Sequence, residues 1–138
     1  MELRSDTRRI EAPAEKVYDF LTDFNNFGHL LPEQVKEWDA DTTHCSFLIE
    51  GLPRISLKLG ECSEGRQVIY LPGTGSPVDF SLRFEMKPLE EGHCEMVNHL
   101  EADISPVIAM MAKRPLQHFL DLISEKLSDH MRSMGNQR

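Results

Sequence analysis

Between residues 35 and 104, apolar side chains recur at alternate positions. The pattern is clearest where Phe80, Leu82, Phe84 and Met86 alternate with Ser81, Arg83, Glu85 and Lys87. Successive side chains of an extended strand point to opposite faces, so this period predicts strands with one buried and one wet face. Cys45, Phe47 and Ile49 against His44, Ser46, Leu48 and Glu50 give a second such strand, and Ile55, Leu57 and Leu59 against Ser56 and Lys58 give a third. The stretches at 51–54, 63–66 and 90–93 are short and turn-like in composition, which favours an antiparallel meander. With the first ten residues read as one further strand, six or seven strands are expected. Leu3 and Ile10 are the large apolar members of that first strand, and they have opposite parity.

The period changes at Ala12. Pro13 suits the first helical position, Glu15 complements the helix N-terminus, and Ala14, Val17, Leu21 and Phe24 lie on one stripe with Tyr18 beside it, predicting a helix from about 14 to 23. Phe27, Leu30 and Leu31 before Pro32 predict a second, shorter helical turn that Pro32 helps to end. After Ser105 and Pro106, a cap followed by a first helical residue, Ile108, Met111, Ala112, Phe119, Leu122, Ile123, Leu127 and Met131 recur near the helical period. This is the longest predicted helix, and Pro115 within it is expected to bend or divide it. Residues 132–138 are expected to fray.

At 138 residues the chain is long enough for one hydrophobic core and too short for two of comparable size, so one domain over 1–138 is expected. Lys and Arg number 15 against 23 Asp and Glu, a net charge of -8 that repels phosphate backbones and anionic surfaces. The basic pairs Arg8–Arg9 and Lys113–Arg114 lack interleaved aromatics, so nucleic acid is not an expected partner. Three cysteines without CxxC spacing fit reduced thiols in a cytoplasmic setting. No apolar region follows the charged first nine residues, and the longest apolar stretch, 106–112, is far below the roughly 20 residues of a membrane span. Stable membrane insertion is therefore not expected.

The segment Ile10-Glu11-Ala12-Pro13, followed by Val17-Tyr18, Leu21 and Asp23, resembles the "I-x-A-P-x-x-x-V-(aromatic)-x-x-(I/L)-x-D" opening of the START-like (SRPBCC) superfamily of polyketide-cyclase and pollen-allergen type. Phe27-Gly28-His29-Leu30-Leu31-Pro32 is similar to its second short helix. The resemblance implies an α+β helix-grip fold, in which a curved antiparallel sheet wraps a long C-terminal helix around a cavity for a lipid, sterol or polyketide. It spans most of the chain in element order, although its residue matches lie mainly in 9–32. Arg4, Asp6 and Arg8 on the parity of Ile10 depart from the superfamily pattern, which means either a shifted register or a polar stretch of cavity wall.

His44–Cys45 and His93–Cys94 hold zinc-ligand types, but strand neighbours point to opposite faces and cannot close on one ion, so no metal is expected. Gly73-Thr74-Gly75-Ser76-Pro77 precedes a strand pattern rather than a helix, and reads as a turn rather than a phosphate loop. There is no GxSxG elbow or Walker lysine, and no cofactor is expected. Asn98 is flanked on its inward face by Cys94, Met96, Leu100 and Ala102, and a buried amide there demands hydrogen-bond partners. His118 lies in the closing helix near Phe119, and Met86, Met96, Met110 and Met111 supply flexible thioethers. The candidate ligand-binding residues are Phe47, Phe80, Phe84, Met96 and Asn98 from the sheet with Met111 and Phe119 from the helix. The expected function is binding of a small apolar or amphipathic molecule. The alternatives are a cyclase or dehydratase-like enzyme using one buried polar residue and an interaction module with a filled core.

Overall fold

The computed structural model describes residues 1–31, 33, 35–49, 54–73 and 78–135. Strands β1 (Glu2–Arg4) and β2 (Arg8–Ile10) open the chain, followed by helices α1 (Ala14–Leu21) and α2 (Phe24–Phe27) and a 3-10 turn at Gly28–Leu30. Six antiparallel strands come next: β3 (Val35–Ala40), β4 (His44–Ile49), β5 (Ile55–Leu59), β6 (Gln67–Pro72), β7 (Asp79–Pro88) and β8 (Cys94–Asp103). Helix α3 (Pro106–Gly135) closes the chain. The sheet runs β1-β8-β7-β6-β5-β4-β3, with β2 also on β8. It is an open, curved antiparallel sheet packed against α3, as expected.

The eighth strand arises because the first predicted strand is two. Leu3 pairs with Leu100 and Arg4 with His99, whereas Arg8 pairs with Met96 and Ile10 with Cys94. Residues 5–7 thus face only Val97 and Asn98, a bulge with one extra residue. The bulge is pinned by Ser5, whose amide donates to the Asn98 carbonyl at 3.0 Å and whose Oγ accepts the Asn98 amide at 3.0 Å. One extra residue reverses side-chain parity, so Leu3 and Ile10 both reach the core. The same shift leaves Arg4 and Asp6 exposed and Arg8 half-buried opposite Met96.

Two predicted hairpin turns are tight turns with glycine at positive φ, Gly65 at 70° after Ser63 and Gly92 at 83° before His93. The turn predicted at 51–54 lies almost wholly outside the described residues, as do most of 73–77 and Pro32. Helix α3 begins at the expected cap, with the Ile108 amide donating to Ser105 Oγ at 3.4 Å. It runs past Pro115 without dividing and continues four residues beyond Met131, where Arg132 pairs with Glu11 at 3.2 Å.

Candidate apolar cavity

Along α3 the residues turned to the sheet are Ala112, Leu116, Phe119, Leu120, Ile123, Leu127 and Met131, and they meet two different environments. Toward the C-terminus, Ile123, Leu127 and Met131 join Val17, Leu21, Phe24, Leu30 and Ile10 in a closed core. Toward the N-terminus, Ala112 is small and the helix stands off the sheet. A cavity of about 180 Å³ remains there, with Leu57, Phe80, Leu82 and Leu100 on the sheet side and Leu116 and Phe119 on the helix side. Arg54 is its one charged lining residue among those described. Arg54 and Ile108, both exposed, mark its open end.

An aromatic chain separates the cavity from the short helices. Phe119 lies 5.9 Å from Phe47, Phe47 lies 5.9 Å from Trp38, and Trp38 lies 6.1 Å from Phe27. Phe24 and Phe27 both meet Tyr70, at 4.6 and 5.2 Å, and Tyr70 meets Phe84 edge-on at 5.3 Å. The Tyr70 hydroxyl donates to the Leu21 carbonyl at 2.6 Å, tying β6 to the end of α1. Burial pushes its phenol pKa far above the usual value, so it stays a neutral donor.

Phe47, Phe80 and Phe119 line this cavity. Phe84, Met96 and Asn98 face the same way but sit in the closed core beyond its inner end. Met111, expected on the inner stripe, is 78% exposed and does not line the cavity. Two helical turns are about 7.2 residues, so the position two turns before Phe119 is Ala112. Met110 is likewise exposed, leaving Met86 and Met96 as buried thioethers of the four considered, and His118 is exposed. Leu57, Leu82, Leu100 and Ala102 also line the cavity, on the strand parity that faces α3.

Asn98 is completely buried. Its Nδ2 donates to the Leu120 carbonyl at 3.3 Å and to Ser124 Oγ at 3.0 Å, fastening β8 to α3. Its Oδ1 has no hydrogen-bond partner among the described residues. The Cys45 and Cys94 thiols are buried and pushed up to about 12 and about 11 by desolvation, which makes them poor nucleophiles. No group of three or more His, Cys, Asp or Glu among the described residues is placed to hold a metal. No helix among them is long and apolar enough to cross a membrane.

A curved antiparallel sheet gripping one long helix, with an apolar cavity beneath the helix's N-terminal half, defines a helix-grip protein of the START-like class. The chain belongs to the polyketide cyclase/dehydrase and lipid transport family, whose model matches residues 4–132. Solved structures share the fold at low identity. A START superfamily protein from Mycobacterium smegmatis is 17% identical with a TM-score of 0.67, over 96% of this chain and 98% of that one. A protein from Thermus thermophilus is 14% identical with a TM-score of 0.72, over 99% and 100%. A norcoclaurine synthase point mutant from Thalictrum flavum, in complex with a transition-state analogue, is 11% identical with a TM-score of 0.73, over 99% and 96%. No functionally curated protein matches the sequence.

Proposed function

We propose that this chain, acting as one domain, is a carrier or receptor for a small apolar or amphipathic molecule held between the sheet and the N-terminal half of α3. The observation that carries this reading is the chemistry of the cavity wall: apart from Arg54 at the open end, its described lining is aliphatic or aromatic. An apolar enclosure with few polar groups favours ligands that gain from leaving water. Proton-transfer catalysis needs an acid or base within hydrogen-bond reach of the substrate. None of the described lining residues is Asp, Glu, His, Lys, Tyr or Cys, which favours binding over a cyclase or dehydratase activity. Phe47, Phe80 and Phe119 are the proposed contacts in the open part, with Phe84, Met96 and Asn98 reached only by a longer ligand. Buried Cys45 and Cys94 in reduced form accord with a cytoplasmic setting.

The test is a thermal-shift and native mass-spectrometry screen of apolar probes of one-ring to two-ring size. A ligand at a hundred times its Kd stabilises the folded chain by about 2.7 kcal/mol, a readily measured shift. Ala112→Phe, which places a ring in the cavity, should abolish the shift while preserving the circular dichroism spectrum. If no probe stabilises the wild type, or the variant responds equally, the reading fails.

A further inference from the structure

Four of the five exposed large hydrophobic residues among those described lie within five positions of α3: Val107, Ile108, Met110 and Met111, each 52–82% exposed. Val107, Met110, Met111 and Arg114 stand at i, i+3, i+4 and i+7, which places them on one stripe of the helix. That stripe is on the side away from Ala112, Leu116 and Phe119, which turn to the sheet. Ile108 flanks it and sits at the open end of the cavity. A contiguous apolar patch on the surface of a folded domain marks an interaction site, because it adds nothing to the core and is costly to leave in water.

Charge decides the kind of partner. The chain carries a net charge of -8, but residues 104–120 hold Lys113 and Arg114 and no Asp or Glu. Both cations are exposed, and neither pairs with a carboxylate among the described residues. Asp79 and Asp103, paired across β7 and β8, have the strand parity opposite to Phe80 and Ala102 and so lie on the sheet face away from α3. Asp121, the next acid along α3, is about 10 Å beyond Arg114, further than the roughly 8 Å over which exposed charges act at physiological salt. A second copy of the chain docked symmetrically on this stripe would bring both Lys113–Arg114 pairs together with no acid between them. An anionic bilayer instead complements both parts of the patch. Lys113 and Arg114 follow Met110 and Met111 by about 5 Å along the axis, so a helix entering tip first to the usual depth of about 5–10 Å puts the methionines among acyl chains and the cations level with phosphate.

We propose that the first turns of α3 dock the domain on an anionic lipid surface, with Val107, Met110 and Met111 in the interface, Lys113 and Arg114 on the head-group phosphates, and the cavity mouth beside Ile108 turned toward the bilayer. The helix lies on the membrane and does not span it. The local patch overrides the overall acidity because the surface field acts only over a Debye length, within which the basic pair is the nearest charge of α3.

Vesicle flotation of the full chain tests this, with mixed phosphatidylcholine–phosphatidylglycerol vesicles against pure phosphatidylcholine. The expected result is binding to the mixed vesicles that weakens with added salt. Lys113→Gln with Arg114→Gln should weaken it about 30-fold, about five-fold for each cation near the surface. Met110→Ser with Met111→Ser should abolish it, whereas Met134→Ser, at an exposed position near the other end of α3, should leave it unchanged. All five positions are exposed, so the variants should keep the wild-type circular dichroism spectrum and melting temperature. Met110→Trp gives a direct readout, since its emission should shift to the blue on mixed vesicles. Absence of wild-type binding, equal loss in Met134→Ser, or an unmoved Met110→Trp emission overturns the docking surface. Self-association that disappears in Met110→Ser with Met111→Ser overturns it in favour of a second copy. Neither methionine lines the cavity, so the two functions are read separately. Vesicle binding without stabilisation by any apolar probe leaves docking standing and overturns the carrier function, and the converse result does the reverse.

Discussion

The division of the sheet–helix space into a closed and an open half can be tested by truncating two phenylalanines of one strand. Phe84 and Phe80 lie on the same face of β7, four residues apart, but Phe84 is fully buried against Tyr70 and Phe80 borders the cavity half-exposed. A Phe→Ala change in a packed core costs about 3–5 kcal/mol through lost transfer energy and the residual cavity. At Phe84 the edge-on pair with Tyr70 adds about 0.5–1.5 kcal/mol. The hydrogen bond from Tyr70 to the Leu21 carbonyl holds that ring back from filling the gap. The expected loss is therefore at the upper end, about 4–5 kcal/mol, a large share of the roughly 5–15 kcal/mol available to a domain. At Phe80 water and the cavity already contact the ring, so Phe80→Ala should cost only about 1–2 kcal/mol. Urea denaturation followed by circular dichroism measures both, with an unchanged m-value as the check that the denatured state is comparable. The variants should also separate on ligand: Phe80→Ala changes probe affinity, whereas Phe84→Ala acts through stability. Equal losses at the two positions would refute the open half, because they would mean that Phe80 is as tightly packed as Phe84.

The histidine pair at the other end of α3 should make stability depend on pH. His130 lies 4.8 Å from Phe20 and stacks on His29 at 5.7 Å, and its pKa is lowered from 6.5, first by burial and then by the neighbouring histidine. The folded state then binds fewer protons than the unfolded state below neutrality, so stability should fall as pH drops through 6.5 and level off below the folded pKa. His130→Gln should flatten that slope in denaturation series between pH 5 and 7, and an unchanged slope would count against it. Alkylation should distinguish the thiols: native protein at pH 8 should take up one equivalent of iodoacetamide, at half-buried Cys62, and unfolded protein three. Rapid native labelling of Cys45 or Cys94 would contradict their burial.

Much of the architecture can be read from periodicity, because side-chain direction follows directly from backbone geometry. Alternation on β4, β5, β7 and β8 identifies the inward residues, and Ser105 marks the start of α3, whereas Pro13 is the extended cap one residue before α1 rather than its first helical residue. These are local properties, decided within a few residues of chain. The double parity of Leu3 and Ile10 was also visible, but its resolution required β8, since a bulge exists only relative to the strand it faces. The same holds for the cavity. A small residue at Ala112 reads as an ordinary helix position, and it becomes a wall only where Phe80, Leu82 and Leu100 stand across from it. Periodicity identifies which side chains face inward but carries no information on how far apart two inward faces lie. Phe84 and Phe80 are therefore equivalent in the sequence and different in the fold. Asn98 shows the same limit: its burial follows from parity, but the use of both amide hydrogens by Leu120 and Ser124, and the oxygen left over, depend on where α3 docks.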